Sequence, residues 1–324
     1  MNNKDNELVD IALQKYDLQV KSVSFLIEET NDFYKVEDHQ QNLYVLKVYQ
    51  EESSSIDDNL VEVFFLKYLT ENSDLLIPTM IQAKDGKYIQ QIVTPNHSKP
   101  RRVALFSWLE GEDLHNNETE SLFIKLGELT AKLHQTMKGV SIPPNISPKK
   151  WNKVFFYAGE EAVYRNENYE SILSQEYFDL MDKIIPFLDE ALSNYYKENE
   201  NQLLLIHADL NPWNIKVLRD ELRILDFEDA LLGLPVHDIA IMLYYYDYEE
   251  DFNLKEVKNL FLKGYEMVCP PPSFTDYDLD LLMTARRVNF MNYILLVSDE
   301  PQSFIEKSIP RVKDFIRRYN IVLD

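Results

Sequence analysis

The pattern of apolar and polar positions changes about one third of the way along the chain. Up to about residue 109 the apolar residues follow a strand-like pattern, whereas from Ser121 onward they recur at helical spacing. The stretch SWLEGED at residues 107–113 leaves a strand through a glycine and acidic residues. The pattern therefore predicts an α+β chain with a β-rich lobe at residues 1–108 and a mainly helical lobe at residues 109–324.

Within the first lobe we expect a helix, a hairpin, a second helix and further strands. The opening helix covers residues 4–15, and the hairpin lies between Val20 and Tyr49 with a polar turn in its middle. Asp85 and Gly86 form a turn signal between two later strands. Those later strands are expected at Ile77–Ile81, Lys87–Val93 and Arg102–Leu109.

The second lobe opens with a helical stripe, and two short apolar runs interrupt it further on. The run Leu203–Ile206 leads into HADLNPWN, and the run Leu222–Leu225 leads into DFEDA. Short apolar runs that end at polar residues are typical of buried strands. We therefore expect two short strands that carry these polar groups, after a helix whose stripe is Leu122, Leu126, Leu129 and Leu133.

The polar residues after these two strands have the spacing of a kinase catalytic loop. His207, Asp209 and Asn214 form H-x-D-x-x-x-x-N, and Asp226 follows 17 positions after Asp209. Phosphoryl transfer needs a carboxylate that orients the attacking hydroxyl and accepts its proton, and it needs oxygen ligands for Mg²⁺. Taken singly, Asp209 and Asn214 could be turn residues, and Asp226 could simply end a strand. Their ordered spacing instead predicts Asp209 as the catalytic base, Asn214 and Asp226 as metal ligands, and His207 as a structural brace.

A lysine in the hairpin adds to this pattern. In LYVLKVY, alternation puts Lys47 on the same strand face as Leu43, Val45 and Tyr49. Kinases use a lysine in such a strand to contact the nucleotide phosphates and to pair with a helix glutamate. We predict these roles for Lys47 and Glu62; a solvated edge-strand lysine and an exposed helix charge are the structural alternatives.

Glu62 belongs to the helix that is expected after the loop at residues 51–58. Glu51 or Glu52 in that loop could take its place beside the lysine. The apolar positions of the expected helix are Leu60, Val63, Phe64 and Tyr68.

The segment Glu29–Lys35, ETNDFYK, occupies the place of a glycine-rich phosphate loop but contains no glycine. A turn through Asn31 and Asp32 could offer backbone N–H groups to phosphate, because both residues tolerate turn geometry. A plain hairpin explains the segment equally well.

Three further aromatic or imidazole side chains have weaker signals. Trp108 could stack on an adenine, and a core tryptophan is an equal alternative. His115 and His134 have no carboxylate or cysteine at ligand spacing, so we expect them to be ordinary polar positions.

The overall charge limits the choice of partners. The chain has 33 Lys and Arg against 55 Asp and Glu, a formal net charge of −22, which repels nucleic acid and favours either a cationic small substrate or simple solubility. The single cysteine, Cys269, cannot form an intrachain disulfide and suits a reducing compartment. No signal-peptide pattern and no run of about 18 apolar residues is present, so we expect a cytoplasmic protein without a membrane partner.

These motifs resemble the phosphotransferase enzyme family, whose members include aminoglycoside phosphotransferases, choline kinases, the second type of homoserine kinase and stress-response kinases. The resemblance extends from about residue 30 to residue 245 and is carried by VLKVY, LGELTAKLH, LIHADLNPWN and ILDFEDALLGLPVHDIAIML. It implies a protein-kinase-like fold of two lobes with ATP bound between them.

The resemblance also implies roles for further residues. The adenine would lie at Ser107, Trp108 and Leu109, and Asp238 would brace the catalytic loop. Glu228 and Asp229 would contact a second metal or a cationic substrate. Ala208 departs from the family pattern, in which glycine or asparagine usually stands between the histidine and the aspartate.

The function that this reading predicts is phosphorylation, from ATP with Mg²⁺, of a hydroxyl group on a small metabolite or aminoglycoside-like acceptor. A protein Ser/Thr kinase of the stress-response type and a non-catalytic nucleotide-binding pseudokinase are the alternatives. A cationic acceptor is expected if acidic residues of the helical half face the cleft, namely Glu160, Glu161, Asp247, Glu249 and Glu250.

Overall fold

The structure, a computed structural model, describes residues 3–28, 30–50, 54–97, 99–157, 160–169, 171–247 and 252–323. Five glutamates named above therefore lie outside the described residues: Glu29, Glu51, Glu52, Glu249 and Glu250. Within the described residues, no helix has the length and apolar content needed to cross a lipid bilayer.

The helices and strands follow the expected order: an opening helix and most of the strands come first, and most of the helices come later. In chain order they are α1 (Asn3–Leu13), β1 (Val20–Glu28), β2 (Asn31–Asp38), β3 (Leu43–Tyr49), α2 (Ile56–Asn72), β4 (Met80–Ile81), β5 (Gln90–Ile92), β6 (Arg101–Ser107), β7 (Glu112–Asp113), α3 (Glu120–Met137), α4 (Gln175–Glu198), β8 (Leu204–Ile206), β9 (Ile215–Leu218), β10 (Glu221–Ile224), β11 (Leu231–Gly233), α5 (Pro235–Tyr246), α6 (Leu254–Glu266), α7 (Asp276–Val297) and α8 (Gln302–Arg318).

The chain forms two compact units. The first unit comprises Met1–Asn117, Ile142–Ser147 and Trp213–Ala230, and the second comprises Glu118–Ser141, Pro148–Pro212 and Leu231–Asp324. The first unit thus contains the whole of the predicted lobe at residues 1–108. It also contains the β9–β10 hairpin, which the predicted boundary after residue 108 places in the second lobe.

The first unit is built on an antiparallel sheet with the strand order β1-β2-β3-β6-β4, in which β5 also pairs with β6. One face of the sheet packs on α1 through a core that includes Leu46 and Val48. Because side chains alternate along a strand, Lys47 and Tyr49 point to the opposite face. The predicted alternation of LYVLKVY is therefore confirmed.

Helix α2 forms where it was expected, but its buried face differs from the predicted stripe. Ser55 begins the helix with a capping box, since its hydroxyl accepts from the Asp58 N–H. The buried residues are Asn59, Val61, Glu62, Phe65, Leu66 and Leu69, whereas Leu60, Val63, Phe64 and Tyr68 are only half-buried. The apolar pattern predicted the wrong buried face of α2, because the face that is buried includes a charged residue, Glu62.

Two of the predicted strands are shorter than expected. Instead of spanning residues 77–81, β4 begins at Met80, because Pro78 has no N–H to donate and the Thr79 N–H donates to Ser107 Oγ (2.9 Å). Instead of spanning residues 87–93, β5 begins at Gln90, because the Lys87 N–H donates to Asp85 Oδ1 (3.0 Å) in the preceding turn.

The second unit is mainly helical. Helix α3 packs against α6, and α7 packs against α4, α5 and α8. The two short strands of this unit, β8 and β11, pair in an antiparallel manner with Ile206 opposite Leu231. Helix α5 follows β11 directly and buries ten of its residues, so its first turn, which contains Asp238, is held inside the unit.

Candidate active site

Lys47 is the centre of a group of charges in the first unit. Its side chain is 2% exposed, and its Nζ lies 2.6 Å from Glu228 Oε2, 3.4 Å from Asp226 Oδ1 and 3.5 Å from Glu62 Oε1. We call Lys47, Glu62, Asp226 and Glu228 the Lys47 cluster. Strand β3 supplies the lysine, helix α2 supplies Glu62, and the segment after β10 supplies the other two carboxylates.

The electrostatics of the cluster are dominated by negative charge. Burial disfavours the ammonium, yet Glu228, Glu62 and Asp226 together raise the pKa of Lys47 well above its usual value, so the lysine is charged. Burial, with the nearby charge of Glu228, raises the pKa of Glu62 to about 7, although Lys47 acts against this. One ammonium thus faces three carboxylates, an arrangement that a divalent cation would balance.

The closest partner of Lys47 is also bound to the start of strand β2. The Asn31 amide donates to Glu228 Oε2 (2.5 Å), the same oxygen that contacts Lys47. Asn31 and Asp32 do not form a turn but pair with Tyr49 and Val48 of β3, so the plain hairpin alternative is the one observed. Asn31 therefore contacts the Lys47 cluster through its side chain.

The two predicted metal ligands lie at one end of the β9–β10 hairpin. Ile215 pairs with Ile224, and one residue further out the Leu225 N–H donates to the Asn214 carbonyl (2.8 Å). Asp226 follows with a left-handed backbone (φ 54°), which aspartate tolerates better than most residues, and its side chain is 38% exposed. The hairpin register therefore brings positions 214 and 226 to the same end of the two strands.

The chemistry of these side chains suits magnesium. An amide and a carboxylate oxygen are hard ligands, and Mg²⁺ usually takes only one or two protein carboxylates while phosphates and waters complete its shell. Among the residues that the structure describes, no group of three or more His, Cys, Asp or Glu side chains is arranged to hold a metal by itself.

The segment predicted to hold the adenine ends strand β6. The Ser107 N–H donates to the Thr79 carbonyl (2.8 Å), and the Trp108 N–H donates to the Leu43 carbonyl (3.1 Å). The Trp108 ring is half-buried, and Lys35 Nζ lies 4.6 Å from the ring centroid. Leu109 follows and is also half-buried. Asp229, which follows Glu228 of the Lys47 cluster in the chain, is half-buried as well.

Asp209 lies in the second unit, in the loop after β8, and three side chains donate to its carboxylate. Arg286 Nη2 (3.0 Å) and the Tyr245 hydroxyl (3.2 Å) donate to Oδ1, and the Asn211 amide (2.8 Å) donates to Oδ2. We call these four residues the Asp209 cluster. Both oxygens of the predicted base are therefore held in place from the loop itself and from helices α5 and α7.

The backbone just before Asp209 is held by Asp238, as the family resemblance implied. Asp238 is fully buried and accepts from the N–H groups of His207 (3.1 Å) and Ala208 (2.7 Å). Burial opposes its ionisation, but hydrogen bonds from His134 and from the Ala208 N–H hold the pKa of Asp238 below its usual value. Ala208 has a left-handed backbone (φ 64°), which explains why glycine or asparagine is the more usual residue at this position.

His134 is not an ordinary polar position, so that prediction was wrong. Its Nε2–H donates to Asp238 Oδ2 (2.9 Å), and the Tyr265 hydroxyl lies 2.8 Å from its Nδ1. The carboxylate partner was missed because it stands 104 positions away in sequence. His115 stacks on the half-exposed indole of Trp213, with ring centroids 4.5 Å apart.

The acidic residues considered for a cationic acceptor have different environments. Asp247 is already paired with Arg287 and with Arg311 Nε (3.1 Å), and Glu161 is exposed. Glu160 is half-buried and accepts from the Asn289 amide (2.8 Å). Burial raises the pKa of Glu160 to about 7, in spite of that hydrogen bond and of the charge of Arg286. Among the described members of this set, Glu160 is therefore the half-buried carboxylate that a neutral side chain, the Asn289 amide, binds.

Sequence reasoning missed the helix residues that contact Asp209. Tyr245 and Arg286 lie 36 and 77 positions beyond it, and neither belongs to the motif around the aspartate. One signal was available, because Arg286 and Arg287 interrupt the largely apolar stretch LLMTARRVNFMNYILLV, and charged residues are seldom buried without a partner.

The comparisons with known proteins agree with these observations. The model of the Phosphotransferase enzyme family matches residues 25–266. Amicoumacin kinase of Bacillus subtilis (strain 168) is 22% identical over 277 residues, which cover 81% of this chain and 76% of the relative.

Two solved structures are similar in fold over nearly the whole chain. An amicoumacin kinase in complex with AMP-PNP, Ca²⁺ and Ami has a TM-score of 0.75 at 18% identity, covering 96% of this chain and 93% of its own. A microcompartment-associated aminopropanol kinase has a TM-score of 0.74 at 21% identity, covering 98% of both chains. The expected α+β fold of the protein-kinase-like type is thereby confirmed.

Proposed function

Since the chain belongs to the phosphotransferase enzyme family, we propose that it transfers the γ-phosphoryl group of Mg-ATP to a hydroxyl group of a small, ammonium-bearing metabolite. Family membership makes the chain a small-molecule phosphotransferase with a hydroxyl acceptor. We propose in addition that the nucleotide is ATP, that the metal is Mg²⁺ and that the acceptor is cationic, together with the residue roles given below. The Lys47 cluster is the observation that carries it, because one buried ammonium among three carboxylates suits a phosphate accompanied by a divalent cation.

The nucleotide phosphates would be bound by Lys47, and Glu62 would keep the lysine side chain in position. The metal would be held by Asn214 and Asp226, with Glu228 or Asp229 available to a second ion. Support comes from the related amicoumacin kinase structure, which contains AMP-PNP and Ca²⁺. We assign Mg²⁺ as the working metal because amide, carboxylate and phosphate oxygens are its preferred ligands. Ser107, Trp108 and Leu109 are proposed to border the adenine.

Asp209 would act on the acceptor. It orients the hydroxyl so that the acceptor oxygen forms a bond to the γ-phosphorus while the bond from phosphorus to the bridging oxygen of ADP breaks. The hydroxyl proton passes to the Asp209 carboxylate, and ADP leaves. Positioned base catalysis of this kind contributes a factor of about 10² to 10⁴ in rate.

Glu160 is our candidate for recognition of the acceptor amine. Its half-buried carboxylate is bound by the Asn289 amide and has its pKa raised to about 7, so an ammonium group that stabilises the ionised form would be favoured there. The structural neighbour named for aminopropanol acts on a compound with an amine and a hydroxyl, which is the class we propose. The free thiol Cys269 suits the reducing cytoplasm in which we place the enzyme.

Matched acceptors test this proposal. ADP release from Mg-ATP is measured with pairs of small alcohols that differ only in whether they carry an amine or a second hydroxyl, at pH 6 and pH 8. We expect the amine member to be preferred, with an acceptor KM that falls as pH rises through about 7, because Glu160 must be ionised to bind it. In Glu160→Gln this pH dependence should disappear. A preference for the neutral member of each pair would contradict the cationic acceptor and leave the kinase assignment intact.

A further inference from the structure

Helix α7 provides a buried arginine that contacts the predicted base directly. Arg286 is 8% exposed, and its Nη2 donates both to Asp209 Oδ1 and to the Tyr245 hydroxyl oxygen, each at 3.0 Å. Tyr245 in turn donates to the same Asp209 oxygen (3.2 Å). From this geometry we infer that Arg286 and Tyr245 are positioning residues that orient the Asp209 carboxylate for phosphoryl transfer, an inference that rests on the role proposed for Asp209 above.

The contacts fix the direction of the carboxylate as well as its place. A carboxylate is free to rotate about its Cβ–Cγ bond unless its two oxygens have different partners. Here Oδ1 accepts hydrogen bonds from Arg286 and Tyr245, whereas Oδ2 accepts one from the Asn211 amide. The plane of the carboxylate is therefore set by donors on both sides, and the aspartate cannot turn without breaking a charged hydrogen bond.

The arginine itself is held rigidly. Its guanidinium carbon lies 5.5 Å from the ring centroid of Trp151 and 5.5 Å from that of Phe290, and Trp151 is fully buried. A planar guanidinium that packs on aromatic rings keeps its orientation better than a flexible ammonium would. These rings therefore restrict the movement of the guanidinium that donates to Asp209.

Orientation is the property that this reaction requires most. In phosphoryl transfer the transition state is loose and little covalent chemistry is left to the protein, so alignment of the attacking oxygen dominates. A misplacement of about 1 Å can cost about 10²-fold in rate. A rigid arginine that holds the base in position therefore affects turnover.

The neighbouring residue supplies a matched control. Arg287 is also buried, at 3% exposure, but it pairs with Asp247, and its guanidinium carbon lies 5.0 Å from the ring centroid of Tyr244. The two arginines share one helix, one charge and similar burial, but Arg286 donates to Asp209 whereas Arg287 pairs with Asp247. A purely structural role would make their substitutions equivalent.

The test compares Arg286→Met, Arg286→Lys, Tyr245→Phe and Arg287→Met in the full chain, with Asp209→Asn as the reference. For each variant, kcat, the KM of the acceptor, the Kd of Mg-ATP and the thermal midpoint of unfolding are measured. We expect Arg286→Met to lower kcat by about 10²-fold with the nucleotide Kd unchanged within about twofold, and Arg286→Lys to recover part of the loss. Tyr245→Phe should lower kcat by about tenfold, and the double variant should lose less than the product of the single losses, because both donors act on Oδ1.

Three outcomes would overturn the inference. They are a folded Arg286→Met variant that keeps its kcat, an Arg287→Met variant that loses as much kcat as Arg286→Met, and a parallel loss of nucleotide affinity in the Arg286 variants. If Arg286→Met does not fold, Arg286→Lys and Tyr245→Phe decide the question, since unchanged kcat in both would contradict positioning. Wild-type kcat in Asp209→Asn would instead contradict the role proposed for Asp209, which separates that failure from this one.

Discussion

At the scale of single residues, the arrangement around Lys47 suggests how the metal and the nucleotide depend on each other. Glu228 is the closest partner of the lysine, at 2.6 Å, and Asn31 holds the same carboxylate oxygen. A phosphate that approaches Lys47 must displace this contact. A divalent cation that attracts Glu228 or Asp226 would release the lysine, so metal and nucleotide should bind cooperatively.

Replacing Glu228 with glutamine should weaken this dependence. The neutral amide holds Lys47 less strongly and does not repel phosphate, so we expect ATP to bind about tenfold more tightly in the absence of metal than it does to the unaltered chain. Calorimetric titration with ATP in the presence of a chelator measures this. Glu221→Gln is the control, because it makes the same charge change at a residue of strand β10 whose side chain is 64% exposed. Equal metal-free affinity in both variants would contradict the account.

His237 should make the folded state sensitive to acid. Burial is the main cause that lowers its pKa to about 3, against the opposing charge of Asp238, and the Tyr196 hydroxyl lies 2.9 Å from its Nδ1. The unfolded chain therefore takes up a proton first as pH falls below about 6.5, so stability present at neutral pH is lost towards pH 3.

We expect His237→Asn, which keeps a polar partner for Tyr196 but does not titrate, to reduce this loss. Between pH 7 and pH 5 the free energy of unfolding should fall by about 2 kcal/mol less in the variant than in the unaltered chain. Urea unfolding at the two pH values measures the difference. An identical fall in both proteins would mean that His237 titrates normally.

At the scale of secondary-structure elements, the close contact of α3 with α6 depends on two glycines. A Cβ atom at Gly127 would lie 1.9 Å from the Phe261 carbonyl oxygen, and one at Gly264 would lie 1.8 Å from the Ile124 carbonyl oxygen. Each contact involves backbone of the facing helix, which no side-chain rotation relieves. Helix α3 also carries His134, the partner of Asp238, so this contact supports the brace of the catalytic loop.

Alanine at Gly127 or Gly264 should therefore separate the two helices. We expect a loss of about 3 kcal/mol or more in the free energy of unfolding, because overpacking against backbone cannot be absorbed locally. Gly139→Ala is the comparison, since that glycine has a left-handed backbone (φ 76°) but nothing within 4 Å of its added Cβ. It should cost about 1 kcal/mol from conformation alone. Equal losses in chemical denaturation at all three sites would contradict the close approach.

At the scale of the whole molecule, the formal net charge of −22 should assist the capture of a cationic acceptor. With ATP saturating, we expect kcat/KM for an amino alcohol to fall about three- to tenfold between low and high salt, because counterions screen the field of the protein. The corresponding neutral diol should be nearly insensitive over the same range. The same salt dependence for both acceptors would mean that the charge of the molecule serves solubility alone.

The sequence was sufficient for the parts of the protein that depend on short spacings. The loop with Asp209 and Asn214, the later Asp226 and the alternation that turns Lys47 away from the α1 core could all be read from neighbouring residues. The contact of Lys47 with Glu62 was also anticipated, although the face of α2 was assigned to the wrong apolar positions.

What the sequence could not provide was the set of partners brought together by tertiary packing. Arg286 meets Asp209 across 77 positions, His134 meets Asp238 across 104, and Asn31 meets Glu228 across 197. Such pairs have no periodic or motif signal in one sequence. Arg286, a buried charge within a largely apolar helix, is one trace that such a pair leaves, since a buried charge needs a partner somewhere in the fold.

Asp209→Asn tests most directly whether Asp209 directs phosphoryl transfer from Mg-ATP to a small hydroxyl acceptor. Transfer is measured in a single turnover, and the binding of Mg-ATP to the same variant is measured by titration. We predict that transfer to an amine-bearing alcohol falls by at least about 10²-fold while the Kd of Mg-ATP stays within about twofold. Transfer at the unaltered rate, or loss of nucleotide binding together with activity, would contradict it.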